Sequence, residues 1–167
     1  MSTLTRPEAA LFPPPARGLP PRAPALRPSP AAPPPLKDAQ VLTAWRAAIN
    51  RAALARADGE NLSVVLYALT RPGGDPHDDL AAARSYARAE RLIVVDQIVD
   101  TLGHHDALRR GYARALHLLS DLSSPVRGVV AVSRTAVTPD GRRYEAQLAL
   151  HAARGTALHL VRDETEI

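Results

Sequence analysis

The 167-residue chain contains no cysteine, which excludes disulfides, thiolate metal sites and cysteine nucleophiles. Aromatic residues make up only 4% of it, so core building falls on Ala, Val, Leu and Ile. No apolar run is long enough to span a bilayer, and no apolar signal core opens the chain. A cytoplasmic, soluble protein is therefore expected. The folded part also lacks an excess of one charge. The formal net charge is +4, but residues 1–36 hold Arg6, Arg17, Arg22 and Arg27 against Glu8 alone. Residues 61–167 carry thirteen Arg against thirteen Asp plus Glu. A domain of this balance has no general field to steer it onto a phosphate backbone, so nucleic-acid contact would rest on local clusters or on the basic N-terminal arm.

What is abundant is proline, and it is concentrated. Twelve of the sixteen prolines fall in residues 1–35. Proline fixes φ and lacks a backbone donor, so residues 1–36 read as an extended, disordered proline-rich arm. A PxxP ligand for a partner domain is the narrower alternative. Residues 37–60 then read as an amphipathic helix and linker. Asp38 stands at the N-cap, Val41, Leu42, Trp45, Ile49 and Ala52 recur at helical spacing, and Asp58-Gly59 ends the run. Its stripe can pack on the domain or on another protein, and the first is favoured.

From residue 61 to 167, short apolar runs alternate with helical segments. Strands are expected at Ser63–Leu69, Leu92–Asp96, Gly128–Ser133 and Ala157–Val161, and helices at His77–Glu90, His105–Leu119 and Arg142–Ala153. Runs such as Val64-Val65-Leu66 and Val129-Val130-Ala131-Val132 suit parallel strands covered on both faces. The expected fold class is α/β, a doubly wound, mainly parallel sheet of about four strands. Ligands in such sheets sit beyond the carboxyl ends of the strands, which directs attention to the loops after Leu69, Asp96 and Ser133.

None of these loops carries a complete catalytic set. Thr70-Arg71-Pro72-Gly73-Gly74-Asp75 suggests an anion loop but lacks the Walker and GxGxxG patterns, and reads first as a strand-to-helix turn. Asp96, Asp100, His104, His105 and Asp106 could hold a divalent ion, yet adjacent histidines rarely face one ion and no HxH or HxxxH spacing accompanies them. Solvated loop and helix-start residues are the preferred reading, and no metal or cofactor is expected. His117, His151 and His159 stand alone, without an acid and nucleophile nearby in sequence. Ser133-Arg134-Thr135 with Arg142 and Arg143 could hold phosphate, but no base accompanies the hydroxyls. Pro139-Asp140-Gly141 is chiefly a turn that starts a helix.

Taken in order, these segments resemble the N-terminal catalytic domain of serine recombinases, the resolvase and invertase family. The family's opening strand with Tyr-x-Arg-x-Ser is echoed by Tyr67-Ala68-Leu69-Thr70-Arg71. Its next block, an Asp closing the second strand and a downstream Arg opening a helix, is echoed by Asp96 and Arg109. The strand Val129–Val132 and the helix ending Ala152-Ala153-Arg154-Gly155 keep the family's spacing, and the likeness runs from Ser63 to Glu164. The departures matter more. Where the resemblance puts arginine and the nucleophilic serine, this chain has Leu69 and Arg71. The later Asp-Arg-x-x-Arg positions hold Thr135, Ala136 and Pro139, and only Arg109 stands where an active-site arginine would. Several arginines share the charge that develops on phosphate in the family reaction, so one should not suffice.

The resemblance thus implies a resolvase-like domain with no catalytic residues. Arg71, Arg109 and Arg134 are the candidates for residual phosphate binding, and Thr70 is a weak alternative nucleophile that would project to the other face of the strand. Nothing after Glu164 matches the family's dimerisation helix or DNA-reading region, so sequence-specific DNA binding is not expected. A protein partner or a second copy of the chain is the expected partner, through the 38–57 helix or an exposed sheet edge. The alternatives are a phosphate- or nucleotide-binding enzyme built on Thr70, Arg71, Arg109 and Arg134, and weak, nonspecific nucleic-acid binding through the basic arm.

Overall fold

In the computed structural model, the described residues are 37–57, 61–103 and 109–165. The arm (residues 1–36), the Asp58-Gly59 helix stop and His104, His105 and Asp106 lie outside them. Six consecutive apolar residues, Val64 to Leu69, with Ser63 and Thr70 at the ends, make the central strand β1, Ser63–Thr70. Val65, Tyr67 and Leu69 pack into one apolar layer, while Val64, Leu66 and Ala68 enter the other. This two-residue alternation between two buried faces is what the continuous apolar run required.

The other strands are β2 (Ile93–Thr101), β3 (Gly128–Ala131) and β4 (Ala157–Leu160). All pairings are parallel, in the order β2-β1-β3-β4. Helix α2 (His77–Ala89) covers one face through Leu80, Ala83 and Ala87. Helices α3 (Arg110–Ser120) and α5 (Gly141–Arg154) cover the other through Tyr112, Ala115, Leu119, Tyr144 and Leu148. The sheet is therefore doubly wound.

Local chemistry sets the helix ends. Asp140 accepts from the Arg143 amide at 2.8 Å to start α5, which ends on Gly155 at φ 66°, a left-handed turn that glycine adopts without a Cβ clash. Asp38 likewise accepts from the Val41 amide, at 2.8 Å, to open α1, Ala39–Arg56. The buried positions of α1 are Leu42, Arg46, Ile49 and Ala53, whereas Val41, Ala52 and Leu54 are exposed. The stripe is thus rotated from the expected one, because Arg46 is drawn inside by an ion pair with Glu164.

Helix α1 also closes the outer edge of β4. The Asn50 side-chain amide donates to the Leu158 carbonyl and its oxygen accepts from the Leu158 amide, both at 2.9 Å. One side chain thus stands in for a neighbouring strand. At the opposite edge, β2 is longer than expected and continues five residues past Asp96. It carries a bulge opposite Val64/Val65 and leaves Val94, Val95 and Val99 exposed. Its polar Asp96, Gln97 and Asp100 mimic a loop because an edge strand facing water need not be apolar. The segment after β3 is also not an open loop: Arg134–Val137 form a short helix, α4, capped by Ser133. No described helix is long and apolar enough to cross a membrane.

Candidate functional site

The chain leaves β1 toward β2 on one side and leaves β3 toward β4 on the other, so the winding reverses between the carboxyl ends of β1 and β3. Diverging connections leave a crevice at such a switch point. A cavity of about 680 Å³ opens there, within the size range of small-ligand sites. Leu69, Thr70 and Arg71 line it from the end of β1, Val132, Ser133, Thr135 and Ala136 supply much of the far wall, and Arg109 and Arg162 are also among its lining.

A polar knot joins β1, β2 and the start of α3. The Tyr67 hydroxyl donates to Asp100 Oδ2 at 3.0 Å. The same carboxylate accepts from the backbone amides of Gly111 and Tyr112, at 2.8 and 3.1 Å. Helix α3 begins at Arg109 with no side-chain cap of its own, so Asp100 reaches over from β2 to satisfy its first free donors. Burial, and then the neighbouring carboxylate, push the Tyr67 phenol well above its ordinary pKa, so it stays protonated as a donor. Gly111 permits this approach, because a Cβ there would lie 2.6 Å from Ile98 Cγ2 and 2.7 Å from Asp100 Oδ1. The acid that closes the second strand is thus Asp100. Asp96 lies mid-strand and pairs with Arg114 at 3.0 Å. A helix starting without Ser, Thr, Asp or Asn was the available sign that an acid must come from elsewhere.

The four residues singled out in the sequence are not all brought together. Thr70, Arg71 and Arg109 line the cavity and Arg134 does not. The Arg134 guanidinium lies over the Tyr144 ring, 5.5 Å from its centroid. Arg109 donates through Nη1 to the Thr135 and Ala136 carbonyls, at 3.2 and 2.5 Å, tying the start of α3 to α4. Arg71 is exposed at the rim. The Thr70 hydroxyl is turned to the Asp100 carbonyl oxygen at 3.4 Å, and Ser133 Oγ contacts Thr135 Oγ1 at 2.9 Å. Arg162, which the sequence reading passed over, meets Asp79 across the rim at 3.5 Å. Among the described residues, no carboxylate or imidazole is hydrogen-bonded to a cavity hydroxyl, and no group of three His, Asp or Glu is arranged to hold a metal.

His151 and His159 are buried in the packing layers, whereas His117 is exposed on α3. His151 Nδ1 contacts Thr156 Oγ1 at 2.9 Å and His159 Nδ1 contacts the Tyr86 hydroxyl at 3.2 Å. Burial pushes both down to about 4.

A parallel α/β domain with an arginine-bearing crevice at its switch point is the class that fold and site define. Within that class, the structure is similar to the C-terminal catalytic domain of ISC1926 TnpA, an IS607-like serine recombinase. The TM-score is 0.51 at 19% identity, over 61% of this chain and 72% of that one. The domain thus has a recombinase-like fold. Comparison with protein-family models and with curated proteins finds no match. Leu69, Arg71, Thr135, Ala136 and Pro139, the positions where the resemblance places the family's catalytic residues, all line the one cavity, together with Arg109.

Proposed function

We propose that residues 61–167 form a recombinase-fold domain that does not cleave DNA and acts by binding a protein partner or a second copy of itself. Residues 37–60 brace it, and 1–36 serve as a proline-rich tether. The observation that carries this reading is the chemistry of the crevice. Arg71 stands in place of a nucleophile, the Thr70 and Ser133 hydroxyls have no hydrogen-bonded base among the described residues, and Arg109 is engaged with backbone carbonyls. A phosphoryl-transfer site needs an activated nucleophile and several free cations aimed at the developing charge. Incubation with supercoiled DNA should yield no covalent protein–DNA adduct. An adduct that disappears in Ser133→Ala or Thr70→Ala would overturn the proposal.

A second reading rests on Arg71, exposed at the mouth of a cavity of ligand size. The crevice then holds a phosphate-bearing molecule without cutting it. A melting-temperature rise on adding nucleotides or sugar phosphates, lost in Arg71→Gln, supports it. An unchanged rise in that variant counts against it.

A further inference from the structure

A second cavity, of about 610 Å³, lies at the other end of the sheet, where β1 and β3 begin. Three arginines from three separate segments line it: Arg56 from the last turn of α1, Arg154 from the last turn of α5, and Arg127 from the connection into β3. All three are exposed. Among the described residues no Asp or Glu lines this cavity, while Asn61 and Ser63 add polar groups and Leu62 and Pro125 add apolar wall.

The arginines are also positioned. Arg127 Nη1 donates to the Ser124 and Val126 carbonyls, at 2.7 and 2.9 Å, which fixes its guanidinium while other donors stay free. The Arg56 guanidinium lies against Gly155, where a Cβ would sit 2.7 Å from Nη1. Arg56 and Arg154 complement the carbonyl ends of their helices, and that alone accounts for two basic residues. It does not account for Arg127, which lies on no helix. Three arginines from three segments around one ligand-sized recess match a compact anion of high charge.

We propose that this cavity binds a small anion carrying two or more phosphate groups, with Arg56, Arg127 and Arg154 on the phosphates. The proposal does not depend on the crevice at the carboxyl ends. Inorganic diphosphate and ADP, each titrated at constant ionic strength, test it by thermal shift on the full chain. Because the helix-end arginines also affect the ligand-free protein, the readout is the anion-dependent increment. A saturating anion should raise the melting temperature by roughly 5 °C. The rise should vanish in Arg127→Gln and in Arg56→Gln/Arg154→Gln, and persist in Arg71→Gln. A rise with both compounds assigns recognition to the phosphates alone, and a rise with ADP only adds the nucleoside. No rise with either compound overturns the proposal, as does a rise unchanged in Arg127→Gln or one lost only in Arg71→Gln.

Discussion

Arg46 and Glu164 are 118 positions apart, yet Arg46 Nε and Nη2 reach the two oxygens of Glu164 at 2.7 and 2.9 Å. Thr43 Oγ1 and the Tyr144 hydroxyl donate to the same carboxylate at 2.9 and 2.6 Å. A buried carboxylate is tolerated only when its lone pairs are filled, and here four donors fill them. The pair joins α1 to the segment that follows β4.

Breaking the pair from one side should be severe. Arg46→Met leaves Glu164 as an uncompensated buried charge and should cost about 3–5 kcal/mol in urea denaturation. Arg46→Met combined with Glu164→Gln should cost clearly less than the single change. Equal losses would show that the charge itself is not what matters.

Acid should unfold the domain in two stages. His151 and His159 have folded pKa values pushed down to about 4 by burial, below the ordinary value near 6.5. The unfolded chain therefore binds more protons, so their contribution is full above pH 6.5 and falls away as the pH drops toward 4. Each can withdraw up to about 3 kcal/mol over that window. Glu164 follows at lower pH. Burial works to raise its pKa, but hydrogen bonds from Arg46 and Tyr144 outweigh it and hold it below the usual value. Its contribution is present above about pH 4.5 and lost below. The slope of stability between pH 7 and 5 should flatten in His151→Gln/His159→Gln and stay unchanged in Glu164→Gln.

Gly111→Ala tests the polar knot. In an ordinary helix the change would gain about 1 kcal/mol, but here the added methyl meets Ile98 and Asp100 under 3 Å. A net loss of about 1–3 kcal/mol is expected, readable as a lower urea midpoint. A gain would mean that Asp100 gives way freely.

Arg91 offers a stabilising change. It follows α2 with φ 56°, and the Leu92 amide donates to the Ala87 carbonyl at 2.8 Å, the pattern of a helix end that favours glycine. Arg91→Gly should raise stability by about 1 kcal/mol, seen as a higher melting temperature.

The parallel core was legible because β1 and β3 are buried on both faces, and burial leaves an uninterrupted apolar run. Edge strand β2 was read too short, since its Gln97 is exposed and meets Arg84 rather than the core. The buried face of α1 was misjudged because Arg46 looks like a surface residue until its partner at position 164 is known. Long-range pairs of this kind leave no local pattern. In the crevice, spacing brought Leu69, Arg71, Arg109, Thr135, Ala136 and Pro139 to one place. It could not foresee that Arg134 would turn onto Tyr144.

The Asn50 amide gives the sheet a direction of growth. With Leu158 already satisfied on its outer side, β4 has a stopper, while nothing among the described residues pairs with the outer side of β2. Among the described residues, β2 is therefore the edge left open to a further strand. The seal at β4 thus works against edge-to-edge growth from that side.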